Sequence, residues 1–431
     1  MKKKIVVLFI MSSMVTGLSG CDLDISRSVR KNTTEETEIE AADDKDTSSS
    51  SDSNKDKKEK NSIFSSKSDN FIEDKDIVEK TDLINKYIDQ LYYFEVDKDK
   101  QEEAYFDGIM AGLDDPYSVY YSQEDYSSLQ EETSGEYVGI GAVVTQDADM
   151  VISVVRPIKG SPAEEAGIMA EDIIVEIDGE DVQGQDLNVV VKKIRGEEGS
   201  VAKVKVYRKS VSDYIEFDVK RRVVENYSVS NEMLEDNIGY IQIEQFYENT
   251  GKEFKDAMEQ CQKDGAKGII IDLRDNPGGL LNVVVDMCDY IMEGVTIVST
   301  KDKNGTVLSE FKAEDGKETD IPMVVLINGN SASASEIFSG AMKDTGKAKL
   351  VGTTTFGKGI VQSVIPLEDG SAIKLTVAKY FTPNGNDIHE IGVAPDYVVE
   401  LKDGKTTAVN LDRKEDTQLD KGVEVLKEMI K

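Results

Sequence analysis

The sequence predicts a multidomain α/β protein, built as a helical region, a small β-barrel-like module and a core of alternating strands and helices. Three observations carry this. Apolar residues recur at helical spacing between residues 71 and 113, at Ile77, Leu83, Ile84, Tyr87, Ile88, Leu91, Ala104, Ile109 and Met110. Short β-rich runs with glycine punctuation fill residues 136–222. From Asn237 onward apolar strand patterns alternate with helical ones, which implies an α/β core. A chain of 431 residues has room for two or three folded units.

Composition removes several classes of function. Lys and Arg total 51 against 84 Asp and Glu, a formal net charge of −33. So acidic a chain is repelled by phosphate backbones, and no nucleic-acid partner is expected. There is one histidine, His389, and no tryptophan. A multi-histidine metal centre is therefore impossible, no Cys/His cluster has zinc spacing, and neither metal nor cofactor is expected. One imidazole could serve a Ser-His-Asp triad, so any hydrolase reading leans toward another base. Three cysteines, Cys21, Cys261 and Cys288, cannot form a disulfide framework. Cys261 and Cys288 lie in amphipathic helical patterns and read as buried thiols; a bridge between them is left untested.

The N-terminus, residues 1–21, has the layout of an export signal. Lys2, Lys3 and Lys4 precede an apolar run from Ile5 to Val15, too short for a spanning helix of about 20 residues. Leu18-Ser19-Gly20-Cys21 resembles a bacterial lipobox, in which the cysteine is lipidated and becomes the new N-terminus. The expectation is an exported body tethered by acyl chains to the outer face of the cell membrane. Asp22 after the cysteine would favour inner-membrane retention in a two-membrane cell. Residues 22–70 are Ser, Thr, Asp, Glu and Lys with few large apolar side chains, a composition that cannot offset the entropy of ordering, so they read as a spacer.

Residues 71–132 read as two helices, with a third near 123–131, and Asp114-Asp115-Pro116 as a helix stop. In residues 133–222 five or six strands are expected, with short helices over 163–167 and 187–194. Tyr137-Val138-Gly139-Ile140-Gly141, then Gly160-Ser161-Pro162-Ala163, Ala166-Gly167-Ile168, Asp172-Ile173-Ile174 and Ile177-Asp178-Gly179 resemble a PDZ domain in order and spacing. Apart from the name, a Gly-x-Gly turn before a strand exposes backbone N–H groups that can cradle a carboxylate. An edge strand beside it can accept an added peptide strand. Val138, Gly139, Ile140 and Gly141 are thus the candidate tail-binding residues.

In residues 223–404 strands are expected over 238–243, 268–273 and 323–327, and helices over 250–262, 281–292 and 333–342; residues 405–431 read as a C-terminal tail and helix. Two glycine-bearing connections follow buried strands, where active sites of α/β folds collect. One is Leu273-Arg274-Asp275-Asn276-Pro277-Gly278-Gly279; the other runs from Asn328 through Ser331-Ala332-Ser333-Ala334-Ser335-Glu336. A serine at a strand-to-helix turn, flanked by small residues, suits a nucleophile, and the helix N-terminus favours developing negative charge. The plainer account of Ser333 is an N-cap with Glu336 at N3, and spacing alone favours it. A nucleophilic serine needs a base. Lys358, between glycines and before an apolar strand, would lose solvation and hold its amine neutral. His389 is the other candidate, and Ser339 with Lys343 on one helix is a rival pair.

A family resemblance chooses among these. Ser-Ala-Ser-Ala-Ser-Glu-Ile at 331–337, Thr-Phe-Gly-Lys-Gly at 355–359 with Gln362, and Arg-Asp-Asn-Pro-Gly-Gly at 274–279 resemble the C-terminal processing peptidases. So do Tyr380-Phe381-Thr382-Pro383-Asn384-Gly385 and Gly392-Val393-Ala394-Pro395-Asp396. These are tail-specific serine proteases with a PDZ domain ahead of a crotonase-like core. The resemblance implies Ser333 as nucleophile, Lys358 as base and Gln362 as the residue orienting the lysine. It implies an oxyanion hole from the N–H groups of Ala334 and Gly279, with Gly278 as the substitute for Gly279. It also implies protein substrates with free C-terminal tails, a gating role for the PDZ domain, and a homodimer through the N-terminal helices. His389 then reads as structural or surface. The alternatives from other classes are a PDZ-type tail-binding scaffold with a vestigial core, and a crotonase-type acyl-CoA enzyme, for which an exported location supplies no coenzyme A.

Overall fold

The computed structural model describes residues 75–314, 319–409 and 411–431. Cys21, its apolar leader and the 22–70 spacer lie outside the described residues. Residues 75–97 belong to an N-terminal unit considered by itself. Its helix α1 (Lys75–Leu91) is amphipathic yet buries no side chain; Leu83, Ile84 and Tyr87 stand on its exposed apolar side. Tyr92 and Tyr93 meet Phe94 edge to face.

The second unit starts with α2 (Lys98–Ala111), β1 (Val119–Tyr121) and α3 (Gln123–Ser134). The helix α3 is capped by the Ser122 side chain, which accepts from Asp125 N–H, and is ended by Gly135 in the left-handed conformation. A β module follows: β2 (Glu136–Gly139), β3 (Ala142–Gln146), β4 (Ile152–Pro157), α4 (Pro162–Ala166), β5 (Ile173–Ile177), β6 (Glu180–Asp181), α5 (Leu187–Ile194), β7 (Val201–Arg208), β8 (Asp213–Lys220) and β9 (Arg222–Glu225). Its sheet runs β3-β4-β5-β7-β8, with β6 on β5, while β2 and β9 pair where the chain enters and leaves. Ile140, Val154, Ile174, Ile177, Val190 and Val204 fill its core. There are more strands than the sequence suggested, because β2, β6 and β9 are too short to show alternation.

The core comprises β10 (Val229–Leu234), β11 (Ile238–Ile243), α6 (Thr250–Lys263), β12 (Gly268–Asp272), α7 (Leu281–Ile291), β13 (Thr296–Lys301), β14 (Val307–Lys312), β15 (Met323–Ile327), α8 (Ala334–Asp344), β16 (Ala348–Gly352), β17 (Ile360–Pro366), β18 (Ala372–Phe381), β19 (Tyr397–Val398) and α9 (Thr417–Ile430). One sheet has the order β10-β11-β12-β15-β16-β19, parallel from β11 to β19. Every residue of β12 and β15 is buried, as expected for parallel strands covered on both faces. Alternation then sorts the side chains. Ile269, Ile271, Met323 and Val325 pack with Phe254, Met258, Met287 and Phe338 of α6, α7 and α8. Ile270, Val324 and Leu326 pack with Leu419, Val425 and Leu426 of α9.

Two segments do more than the sequence reading gave them. The helix expected within 405–431 is α9, which closes one face of the sheet, and Asp416 at its N-cap takes two hydrogen bonds, each 2.8 Å, from the buried Arg274 guanidinium. Arg274 is also paired with Asp272, whose carboxylate accepts from Tyr240 Oη at 2.7 Å. The 71–132 segment, in turn, contributes β1 to a second sheet, β1-β18-β13-β14, on which β17 pairs with β18. Neither pairing has a local sequence signal.

Candidate active site

The two glycine-bearing connections leave the C-terminal ends of the adjacent parallel strands β12 and β15, where Asp272 lies opposite Leu326. Fully buried Asn276 ties them to their neighbours. Its Nδ2 donates to the Ile243 carbonyl, and its Oδ1 accepts from Gly278 N–H, both at 2.8 Å. Its own carbonyl accepts Ala332 N–H and the Ser335 hydroxyl, each at 3.0 Å. Asp275 adds a second clip, accepting from the amides of Asn328 and Asn330. Glycine is required at the turn itself. At Gly279, with φ of +146°, a Cβ would stand 2.2 Å from the Phe246 carbonyl oxygen; at Gly278 it would stand 2.8 Å from Ser333 Cβ.

The serine-rich run is sorted by its hydrogen bonds. Ser331 is buried and donates to the Leu273 carbonyl at 2.8 Å; Ser335 is buried and donates to Asn276. Ser333 alone of the three is half-exposed. It sits at φ +55° and ψ −113°, a conformation that costs a non-glycine residue about 1–3 kcal/mol. Ser333 is the N-cap of α8 and Glu336 its N3 residue, as the spacing suggested. The capping box forms chiefly through its Glu336 half: Ser333 N–H donates to Glu336 Oε2 at 2.9 Å, while the hydroxyl takes no cap hydrogen bond of normal geometry. The strained turn thus presents a hydroxyl beside the first, unpaired N–H groups of a helix. Gly278 N–H is spent on Asn276, whereas the N–H groups of Gly279 and Ala334 donate to no described residue.

Glu336 joins this turn to the Phe356-Gly357-Lys358-Gly359 loop. Its buried carboxylate accepts four donors: Thr355 Oγ1 at 2.6 Å and Gly357 N–H at 2.7 Å on Oε1, Ser333 N–H at 2.9 Å and Lys358 N–H at 2.7 Å on Oε2. The backbones of Ser333 and Lys358 therefore meet on one oxygen atom. Burial pushes the Glu336 carboxyl above its ordinary value, against the pull of those donors. Sequence reading placed Glu336 only as a capping partner; nothing local reveals that it reaches a second loop.

Lys358 is half-buried, and burial lowers its pKa from the ordinary lysine value, assisted by the charge of Lys374 and opposed by Asp115 and Glu336. Its Nζ lies 4.5 Å from the centroid of the Tyr117 ring and makes no hydrogen bond to Ser333. Gln362, four residues after Lys358, stands at the bulge in β17, with Nε2 at 3.5 Å from Thr376 Oγ1 and no bond to Lys358 among the described residues. The rival pair is not brought together: the buried Ser339 hydroxyl donates to the Ser335 carbonyl, and Lys343 Nζ donates to the Ala394 carbonyl. His389 packs its backbone against Gly359, and its Nδ1 is buried without a partner among the described residues. Cys261 and Cys288 are free, buried thiols.

In the β module, β3 is an edge strand. Ahead of it Ile140 is buried, and the carbonyls of Ile140 and Gly141 are taken by Ala163 N–H and the Ser161 hydroxyl. The N–H groups of Ile140 and Gly141 donate to no described residue. Residues just outside the two ends of α5 reach this region: Arg195 lies beside Gly139 of β2, and Gln146 Nε2 at the end of β3 donates to the Gln185 carbonyl at 2.7 Å. Val138 is half-buried on β2.

Comparison with known proteins fits both halves. Residues 237–399 match the model of peptidase family S41 and residues 153–208 that of the PDZ domain. The carboxy-terminal processing protease CtpA of Bacillus subtilis is 42% identical over 328 residues, covering 75% of this chain and 70% of that protein. A CtpA-like serine protease of Staphylococcus haemolyticus is 40% identical over 321 residues, covering 74% of this chain and 64% of the relative. Among solved structures, an S41 protease of Bacteroides fragilis shares the fold at 17% identity and a TM-score of 0.50, over 78% of this chain and 93% of that one. The chain therefore belongs to the C-terminal processing peptidases of family S41 and is a serine-type peptidase with a PDZ domain.

Proposed function

We propose that this protein is an exported, membrane-tethered endopeptidase that cuts proteins presented by their C-terminal tails, with Ser333 and Lys358 as its dyad. The observation that carries the dyad is the shared carboxylate: Ser333 N–H and Lys358 N–H both donate to Glu336 Oε2. Neutral Lys358 takes the Ser333 proton as the oxygen attacks the scissile carbonyl. The tetrahedral oxyanion is received by the N–H groups of Ala334 and Gly279, which other hydrogen bonds leave unspent. Lys358 then gives the proton to the leaving amine, and water resolves the acyl-enzyme. Gln362 orients the lysine once its side chain turns from Thr376.

The tail-binding role of Val138, Gly139, Ile140 and Gly141 is supported by the edge strand β3 and the unspent N–H groups before it. The lipid anchor at Cys21 rests on the Leu18-Ser19-Gly20-Cys21 motif. Pairing of two chains through N-terminal helices rests on the exposed apolar side of α1.

The test compares wild type with Ser333→Ala and Lys358→Ala on an unfolded protein, with and without a free apolar C-terminus. Loss of cleavage in both variants with tail binding retained is expected. Cleavage that survives either substitution rejects the dyad, and a wild type that binds tails without cutting establishes the scaffold instead.

A further inference from the structure

Asp114-Asp115-Pro116 reads as a helix stop, but the fold gives the turn it opens, Asp115-Pro116-Tyr117-Ser118, a place in the site. Antiparallel pairing of β1 with β18, Val119 opposite Lys374 and Tyr121 opposite Ala372, carries it there. Buried Ser118 fastens it: its Oγ accepts Thr376 N–H at 3.0 Å and donates to Asp115 Oδ2 at 2.6 Å. Asp115 Oδ1 accepts Tyr117 N–H at 3.0 Å. The ring so fixed lies under Lys358 Nζ, 4.5 Å from its centroid, within the range at which an aromatic face attracts a cation.

We propose that Tyr117 is a positioning residue of the protease reaction: its ring holds the Lys358 ammonium that forms when the Ser333 proton is taken, and shields the amine from water. This rests on the reading of Lys358 as the base. A ring quadrupole attracts the ammonium and has no comparable hold on the neutral amine, so the seat grips only the form that must be parked. Without it, the ammonium would answer only to the charged groups that act on Lys358. Asp115 from the turn and Glu336 from α8 attract it, Lys374 from β18 repels it, and His389 acts in turn on Asp115. Burial and the nearby carboxylates raise the Tyr117 phenol above its ordinary value, which favours its neutral form.

The experiment uses the full chain and measures acylation by a serine-reactive probe against pH, for wild type, Tyr117→Phe, Tyr117→Leu, Tyr117→Ala and Lys358→Ala. Tyr117→Phe keeps the ring and should keep the profile. Tyr117→Leu keeps the cover but loses the seat, so the acidic limb should move down by about 0.5–1 pH unit. Tyr117→Ala admits water, and the limb should move up toward the ordinary lysine value. Unmoved limbs in the Leu and Ala variants overturn the proposal, as does a Phe variant that shifts like Leu. If Tyr117→Ala does not fold, Tyr117→Leu decides. Acylation surviving in Lys358→Ala instead removes the base, a failure distinct from that of Tyr117.

Discussion

Replacing Glu336 by glutamine is the sharpest probe of the site, because it keeps shape and removes one acceptor. The carboxylate receives two donors on each oxygen. A glutamine carbonyl can serve one pair; its amide then confronts the other. Turned toward Ser333 and Lys358, the amide would strand two backbone N–H groups. Turned toward Thr355 and Gly357 it strands one, since the Thr355 hydroxyl can rotate. The second orientation should win. A buried donor without a partner costs about 1–3 kcal/mol, and three remaining hydrogen bonds lose their charge assistance, so the total is about 2–4 kcal/mol. That corresponds to a melting temperature lower by roughly 5–15 °C. The stranded Gly357 N–H adjoins Lys358, and misplacing a base by a fraction of an ångström lowers acylation by about 10- to 100-fold. Glu336→Ala strands all four donors and should approach the whole stability of a domain.

Thermal unfolding together with acylation by a serine-reactive probe measures both effects. A Glu336→Gln protein that melts and acylates like wild type would refute the argument that this carboxylate holds serine and lysine together. Acidification offers an independent check. Because the native carboxyl titrates above its unfolded value, its contribution to stability is full below the unfolded pKa and is lost as the pH rises through the native one. Activity should run oppositely: protonation inserts an O–H among four donors, so acylation should fall on acidification while this group's share of stability does not.

Other substitutions test the neighbouring elements. Gly279→Ala would drive a Cβ to 2.2 Å from the Phe246 carbonyl oxygen and should destabilise the fold by about 3 kcal/mol or more, read by urea unfolding. Gly278→Ala presses on Ser333 Cβ and the Ala332 carbonyl, so acylation should drop more steeply than stability. If Lys358 is the base, as proposed, its neutral form is the active one, and cleavage should rise with pH through a value below the ordinary lysine one. Lys374→Met removes a neighbouring charge that lowers that value, and the limb should move to higher pH; an unmoved limb would discount Lys374. Asp416→Ala strips one carboxylate from the buried Arg274 and should cost about 3–5 kcal/mol, with limited proteolysis then cutting between β19 and α9.

What could be read along the chain was whatever one element writes in its own period and punctuation. The strands at Ile238–Ile243, Gly268–Asp272 and Met323–Ile327 are apolar runs ended by turn residues, and the structure has each of them. Ser333 at the head of α8 was legible as an N-cap from its spacing to Glu336 and as the nucleophile only through the family resemblance, and the structure has the N-cap with the residue half-exposed. Residues that arrive from elsewhere could not be read. Glu336 has the spacing of a capping partner, and its second duty toward Gly357 and Lys358 exists only after β15 and β16 lie side by side.

Tyr117 makes the same point across a greater distance. The strand that delivers it pairs with β18 across about 250 residues, as the bond from Lys374 Nζ to Tyr121 Oη records. Antiparallel pairing of a three-residue strand leaves no periodicity, so the turn before it looks like a helix stop and nothing more. The consequence is mechanical. Lys358, the proposed base, is framed by segments on both sides of the PDZ domain: Glu336 and the glycine loop from beyond it, Asp115 and Tyr117 from before it. The linkers entering and leaving that domain are joined by β2 and β9, and β2 follows β1 by only the length of α3. A force on the PDZ domain is therefore applied close to the strand that holds Tyr117 under Lys358. The gating role expected of the PDZ domain would, on this connectivity, reach the proposed base through β2 and β1.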